Sequence, residues 1–164
     1  MLKIQYISLR DSSAMSKSTF LCIFLFATFA TKAQSTSYNQ KLADSLGADE
    51  YGMKTYYFVI LKTGKTVVQE GKLRDSLFKG HMDNIGRLAK MGKLVVAGPF
   101  GKNDRAYRGL FIFNVKSQEE LQQLLESDPT IKSGIFEVEV TPWYGSAALP
   151  MYLQYHEKVQ KSGL

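Results

Sequence analysis

Two stretches of this chain, residues 54–62 (KTYYFVILK) and 108–115 (RGLFIFNV), are apolar on both sides of any strand they form. Side chains alternate across a strand. The first run therefore sets Tyr56, Phe58 and Ile60 against Tyr57, Val59 and Leu61, and the second sets Leu110 and Ile112 against Phe111 and Phe113. Strands apolar on both faces belong in the middle of a sheet. Both faces of that sheet then need a cover.

The intervening patterns supply the remaining elements. Between residues 76 and 91, Phe78, His81, Met82, Ile85, Leu88 and Ala89 recur at three- and four-residue spacing, which predicts a helix with one apolar face that stops at Gly92. Residues 93–97 read as a strand broken by Gly98-Pro99, and residues 101–107 as a charged loop. Ser117 and Glu120 form a capping box that opens a second helix with Leu121, Leu124 and Leu125 on one face. Residues 135–140 alternate Phe136, Val138 and Val140 with Glu137 and Glu139, a half-exposed strand.

The order is β-α-β-β-α-β, the ferredoxin-like α+β pattern, in which the first and third strands are central. Two helices cover one side of such a sheet. A second copy of the chain is the economical cover for the other, so the expected assembly is a homodimer, a dimeric α+β barrel. After Pro150 the spacing of Leu149, Tyr152, Leu153, His156 and Val159 predicts a helical tail packed on the domain or its mate, with His156 structural or solvent-exposed.

The N-terminus stands apart from this pattern. Lys17 precedes an 11-residue apolar run, 20–30 (FLCIFLFATFA), followed by Thr31-Lys32-Ala33-Gln34. Charge, apolar stretch and small residues in that order are a secretory signal. The run is well short of the ~20 residues that span a bilayer. The expected product is exported, periplasmic or secreted, and free of the membrane after cleavage behind Ala33; Met15 is an alternative start to Met1. The expected divisions are a signal peptide at 1–33, a polar leader or short helix at 34–52, the domain at 53–145 and the tail at 146–164.

Charge is reinterpreted accordingly. Residues 1–33 hold Lys3, Arg10, Lys17 and Lys32 against Asp11, so the net charge of +6 falls to +3 in the processed chain. No basic cluster interleaved with aromatics remains, which argues against a nucleic-acid partner. The single cysteine, Cys22, lies inside the signal, so the exported domain is held by its core alone. His81 and His156 are the only histidines and neither has a ligand-spaced partner, so neither a metal nor a cofactor is expected. Residues 62–66 (KTGKT) echo the end of a phosphate-binding loop, but Val59 stands where its first glycine belongs.

His81 is the principal candidate for chemistry. Imidazole titrates near pH ~6.5, so with a carboxylate partner it takes and returns protons at neutral pH; equally, a helix-face histidine can be a core residue satisfied by backbone carbonyls. Asp128-Pro129 reads as an N-cap followed by proline at the first helical position, starting a short turn that Gly134 ends. Arg108 opens a central strand beside the Gly98-Pro99 turn. It is either an anchor for an anionic substrate at a pocket mouth or a surface cation. Trp143, after Pro142, is either a packing residue or a pocket wall.

Taken together, His81 with Ile85, Gly92-Lys93-Leu94, Ala97-Gly98-Pro99, Arg108-Gly109, Asp128-Pro129, Gly134 and Thr141-Pro142-Trp143 occur in an order that resembles the YciI-like (YCII-related) domain family, from about residue 54 to 145. The resemblance implies a dimeric ferredoxin-like barrel with an active site on His81, used as an acid-base group or as a phosphohistidine, with Asp128 beside it. From their positions in the chain, Arg108, Gly98, Pro99 and Trp143 are the substrate-binding candidates beside that pair, Gly98 being equally a matter of backbone geometry. A few similar proteins are dehydrochlorinases of chlorinated hydroxyquinol-type rings. This chain departs from the best-known members at Thr130, where they carry tyrosine or phenylalanine, and around His81, at Gly80 and Met82. The expected activity is that of a small-molecule lyase or isomerase using a His81–Asp128 pair; the alternative is a noncatalytic barrel that binds a small ligand.

Overall fold

The computed structural model describes residues 37–162. The expected signal peptide lies outside the described residues. The elements run α1 (Gln40–Leu46), β1 (Met53–Thr63), α2 (Lys72–Lys90), β2 (Leu94–Pro99), β3 (Tyr107–Phe113), α3 (Gln118–Glu126), α4 (Pro129–Lys132) and β4 (Phe136–Ser146). A 3-10 turn (Leu149–Tyr152) and α5 (Leu153–Val159) follow. The strands form one antiparallel sheet ordered β2-β3-β1-β4, so the two doubly apolar runs are the central strands of a ferredoxin-like fold.

Alternation divides the sheet into two faces. Val59 and Leu61 of β1 stand beside Phe111 and Phe113 of β3, under Leu88 of α2 and Leu121 and Leu125 of α3. Each of these side chains, fully buried, contributes about 1.5–3 kcal/mol. On the opposite face Tyr56, Val95 and Ile112 form a smaller cluster flanked by Phe58, Val96, Leu110 and Leu149. The tail reaches this face: Leu149 packs on it, and the Tyr152 hydroxyl donates to the Val95 carbonyl. Phe58, Ile60 and Leu110 remain only partly buried, and His156 is exposed.

Local signals explain most element ends. Ser117 Oγ accepts from the Glu120 amide at 3.2 Å, while the Glu120 carboxylate reaches back to the Lys116 amide at 3.1 Å and pairs with Lys93 at 2.6 Å. At the end of α2, Gly92 adopts φ +68 and lets the Lys93 amide close onto the Leu88 carbonyl. The polar leader forms α1, capped by Asn39 and ended by Gly47 at φ +68. Asp49 then ties this segment to β4 through the Tyr144 hydroxyl.

Two proline expectations need correction. β2 continues through Gly98-Pro99 rather than breaking there, and β4 runs past Thr141-Pro142 to Ser146. Both are edge strands, where a missing amide costs no ladder bond. Helix α2 also begins at Lys72, a turn before its apolar face does; Gly71 offers no side-chain cap and Leu73 and Arg74 are exposed, so neither capping nor periodicity marks that start.

Candidate active site

Between α2, the helix-side face of the sheet and the loop that follows β1 lies a cavity of about 750 Å³. Its walls are mainly apolar: Leu61, Val67, Val68, Phe78, Ile85, Phe111, Ile135 and Phe136. The loop is pinned over it by backbone bonds, Gly64 N–H to the Ile135 carbonyl at 2.8 Å and Thr66 N–H to the Gly134 carbonyl at 3.1 Å. These contacts require two glycines. A Cβ on Gly64 would come within 2.2 Å of the Gly134 oxygen, and Gly134 itself adopts φ +76.

His81 borders this cavity from the third turn of α2 and is 8% exposed. Its ring is held among three phenylalanines, edge-on to Phe78 and Phe136 and tilted against Phe111, at centroid distances of 6.4, 5.6 and 6.0 Å. Nδ1 lies 2.7 Å from Asp128 Oδ2. Nε2 has no hydrogen-bond partner among the described residues. Since no buried side-chain nitrogen or oxygen there is left unpartnered, Nε2 opens to the cavity.

Asp128 is 1% exposed and does not line the cavity; it stands behind the imidazole. Its position follows from its role as N-cap of α4, with Oδ1 accepting from the Thr130 amide at 2.9 Å and the Thr130 hydroxyl at 2.7 Å. Cap and histidine partner are one residue. Burial pushes the carboxyl up, but the hydrogen bonds from His81 and Thr130 outweigh it and hold the group below the usual aspartate range. An ionised Asp128 can only accept, so Nδ1 carries a proton; in the neutral ring that leaves the lone pair on Nε2.

Two of the departures from the familiar pattern, Thr130 and Gly80, lie against this pair. Thr130, fully buried, bonds the carboxylate and also sits 3.2 Å from His81 Nδ1. Gly80 lets α2 approach the Asp-Pro turn: a Cβ there would lie 2.8 Å from Pro129 Cγ. A further group anchors the same contact one turn along the helix. Buried Asn84 accepts from Arg87 Nη2 at 2.6 Å, and Ser127 Oγ, beside Asp128, lies 3.1 Å from the same Asn84 oxygen and accepts from Arg87 at 3.0 Å. Asn84 and Arg87 were invisible in the sequence as site supports, since Arg87 reads as an ordinary exposed cation. The only available signal was the three-residue spacing from His81 to Asn84.

Of the other candidates, Gly98, Pro99 and Arg108 border the cavity, and Arg108 Nε donates to Thr63 Oγ1 at 2.6 Å. Trp143 does not, which corrects its assignment to the substrate site. It pairs with Tyr56 across the β1–β4 ladder, ring centroids 5.8 Å apart, on the sheet face away from the helices. Strand alternation places it there, three residues after Val140 on the helix side. Among the described residues no group of three or more His, Cys, Asp or Glu side chains converges as a metal site would require.

Comparison with known proteins places the domain. The sequence model of the YCII-related domain matches residues 55–144, more than half of the chain. A solved structure, 5-chloro-2-hydroxyhydroquinone dehydrochlorinase from Burkholderia phenoliruptrix AC1100 in complex with 2,5-dihydroxybenzoquinone, is 25% identical over 53% of this chain and 92% of that chain, with a TM-score of 0.38. No curated protein matches the sequence significantly.

Proposed function

We propose that this chain, which belongs to the YCII-related domain family, is a small-molecule lyase or isomerase whose acid-base group is His81. One observation carries the reading: His81 has its two nitrogens divided, Nδ1 on the Asp128 carboxylate at 2.7 Å and Nε2 facing an apolar cavity. In this mechanism Nε2 takes a proton from a carbon next to a carbonyl, or from a phenol. Asp128 then faces an imidazolium and stabilises it, while holding the ring in the tautomer that started the step. The proton returns to a different atom of the same molecule in an isomerisation, or the electron pair expels a leaving group in an elimination. Asp128, Thr130 and the surrounding rings keep the imidazole from turning.

The competing reading, a noncatalytic ligand-binding barrel, is favoured by a different observation. Among the described residues, the ionisable side chains bordering the cavity apart from His81 are Arg74 and Arg108, so none of them stands opposite the base as a second proton donor of ordinary pKa. A metabolite panel screened by thermal stabilisation and then by turnover separates the two. The catalytic reading expects product from at least one stabilising compound, with turnover lost in His81→Asn while binding persists. Stabilisation without product, in wild type and variant alike, assigns the binding module.

Two further parts of the reading concern the whole protein. The far face, where Phe58, Ile60 and Leu110 are only partly covered, supports a homodimer sheet to sheet. Light scattering at micromolar concentration should give twice the chain mass; a stable monomer would mean that the N-terminal leader or the C-terminal tail covers that face instead. Export rests on the order of charge, apolar run and small residues in residues 17–33.

A further inference from the structure

The charge around the cavity is one-sided. Arg74 and Arg108 both border it, no aspartate or glutamate does, and neither arginine is in an ion pair among the described residues. Their placement is specific. In the β1–β3 ladder Leu61 pairs with Gly109 but Lys62 pairs with Tyr107, so Arg108 is one residue in excess, a β-bulge. Regular alternation would send Arg108 to the far face with Leu110 and Ile112. The bulge turns it instead to the cavity side, where Nε is fixed by Thr63 Oγ1 at 2.6 Å. The turn into the bulge holds Ala106 at φ +57, a left-handed conformation uncommon for a residue with a side chain. Arg74, in the first turn of α2, is steadied differently: its guanidinium lies 5.0 Å from the Phe78 ring centroid, and Phe78 is itself a cavity wall.

With Nε occupied by Thr63, the terminal nitrogens of Arg108 remain available as a planar fork, the geometry that matches a carboxylate. Arg74 and Arg108 are exposed while His81 is buried, so the cations stand at the mouth and the imidazole at the depth of one apolar space. Resting on the reading of this cavity as the ligand site, we infer that its ligand is an organic monocarboxylate with an apolar, ring-sized body, its carboxylate held at the mouth by Arg108 and Arg74 and its hydrocarbon part directed inward to His81. A phosphate ester is the competing anion, and phenyl phosphate enters the test to decide between the two.

The test uses the full processed chain and pairs of probes with equal shape: benzoate, phenylacetate and 3-phenylpropionate against benzamide, phenylacetamide and 3-phenylpropionamide, with phenyl phosphate alongside. Binding is followed by calorimetry and by NMR shifts. At least one carboxylate should bind ten-fold or more tightly than its amide, with an affinity that falls as salt rises. Arg108→Gln should weaken the carboxylate about ten-fold and Arg74→Gln several-fold, each leaving the amide unchanged. His81→Asn should keep the carboxylate preference, so turnover retained in that variant tells against the acid-base reading alone. Amides that bind as well as carboxylates, no binding by any carboxylate, a preference for phenyl phosphate, or an undiminished preference in the Arg108→Gln, Arg74→Gln double variant would each overturn the inference.

Discussion

A methyl group at Gly80 should loosen the His81–Asp128 contact, and a second glycine in the same helix provides its control. The added Cβ would lie 2.8 Å from Pro129 Cγ, against the ~3.5–4.0 Å of an ordinary carbon contact. A proline ring at the first position of α4 cannot swing aside, so α2 and the Asp-Pro turn must separate. Glycine to alanine within a helix gains about 1 kcal/mol of propensity, whereas forcing a methyl into a packed site costs about 1–3 kcal/mol. Gly80→Ala should therefore be neutral to about 2 kcal/mol destabilising. Gly86 has nothing within 4 Å of its Cβ position, so Gly86→Ala should gain the propensity alone, about 1 kcal/mol. The difference between the variants, about 1–3 kcal/mol in urea titrations, isolates the Pro129 contact. Separation also reaches the site, since residues 80 and 129 adjoin His81 and Asp128. The Nδ1 proton of His81, followed by NMR, should exchange faster in Gly80→Ala than in Gly86→Ala. Equal stabilisation in both variants, with the His81 resonance unmoved, would refute this account of how the pair is brought together.

Other consequences are independent of that contact. Gly64→Ala sets a methyl against the Gly134 carbonyl, where only backbone can give, and should cost about 2–4 kcal/mol by thermal melt through overpacking and two strained backbone bonds; an unchanged melting temperature would mean that the loop is not pinned there. Asp128 titrates below its unfolded value near pH ~3.9, so its contribution is complete above that value and is lost as pH falls through the folded one. Wild-type stability should therefore fall with acid in that range, and Asp128→Asn should flatten this limb of the curve; an equally steep fall in the variant would place the acid sensitivity elsewhere. Protein expressed with its native N-terminus should yield an intact mass beginning at Gln34, and a product retaining residues 20–30 would contradict export by cleavage.

What could be read from the sequence was whatever periodicity and local capping decide. Strands β1 and β3 were legible as central because Tyr56 to Leu61 and Leu110 to Phe113 satisfy both faces, and α2 and α3 because their apolar residues repeat with the helix. Pro99 and Pro142 misled for a reason that is tertiary: proline breaks a central strand but not an edge, and edge position is known only once the sheet order is. For Trp143 the choice between packing residue and pocket wall rested on the same knowledge, since its closeness in sequence to Val140 says nothing of the face until parity is counted along an unbroken β4. His81 and Asp128 were nameable by resemblance, but not the means by which residues 47 positions apart meet. That depends on Gly80 being bare and on Thr130 turning its hydroxyl to the carboxylate, and both stood in the sequence only as departures from the usual pattern. Arg108 is the strongest case. Its side of the sheet is set by one surplus residue between Tyr107 and Gly109, which no alternation rule reveals and which the pairing register shows directly. The residues best hidden from a linear reading are thus those that break a local rule. Here they stand beside or behind one cavity, where a bulge, a left-handed alanine and a bare helical glycine each cost local stability and each place a charged or proton-carrying side chain.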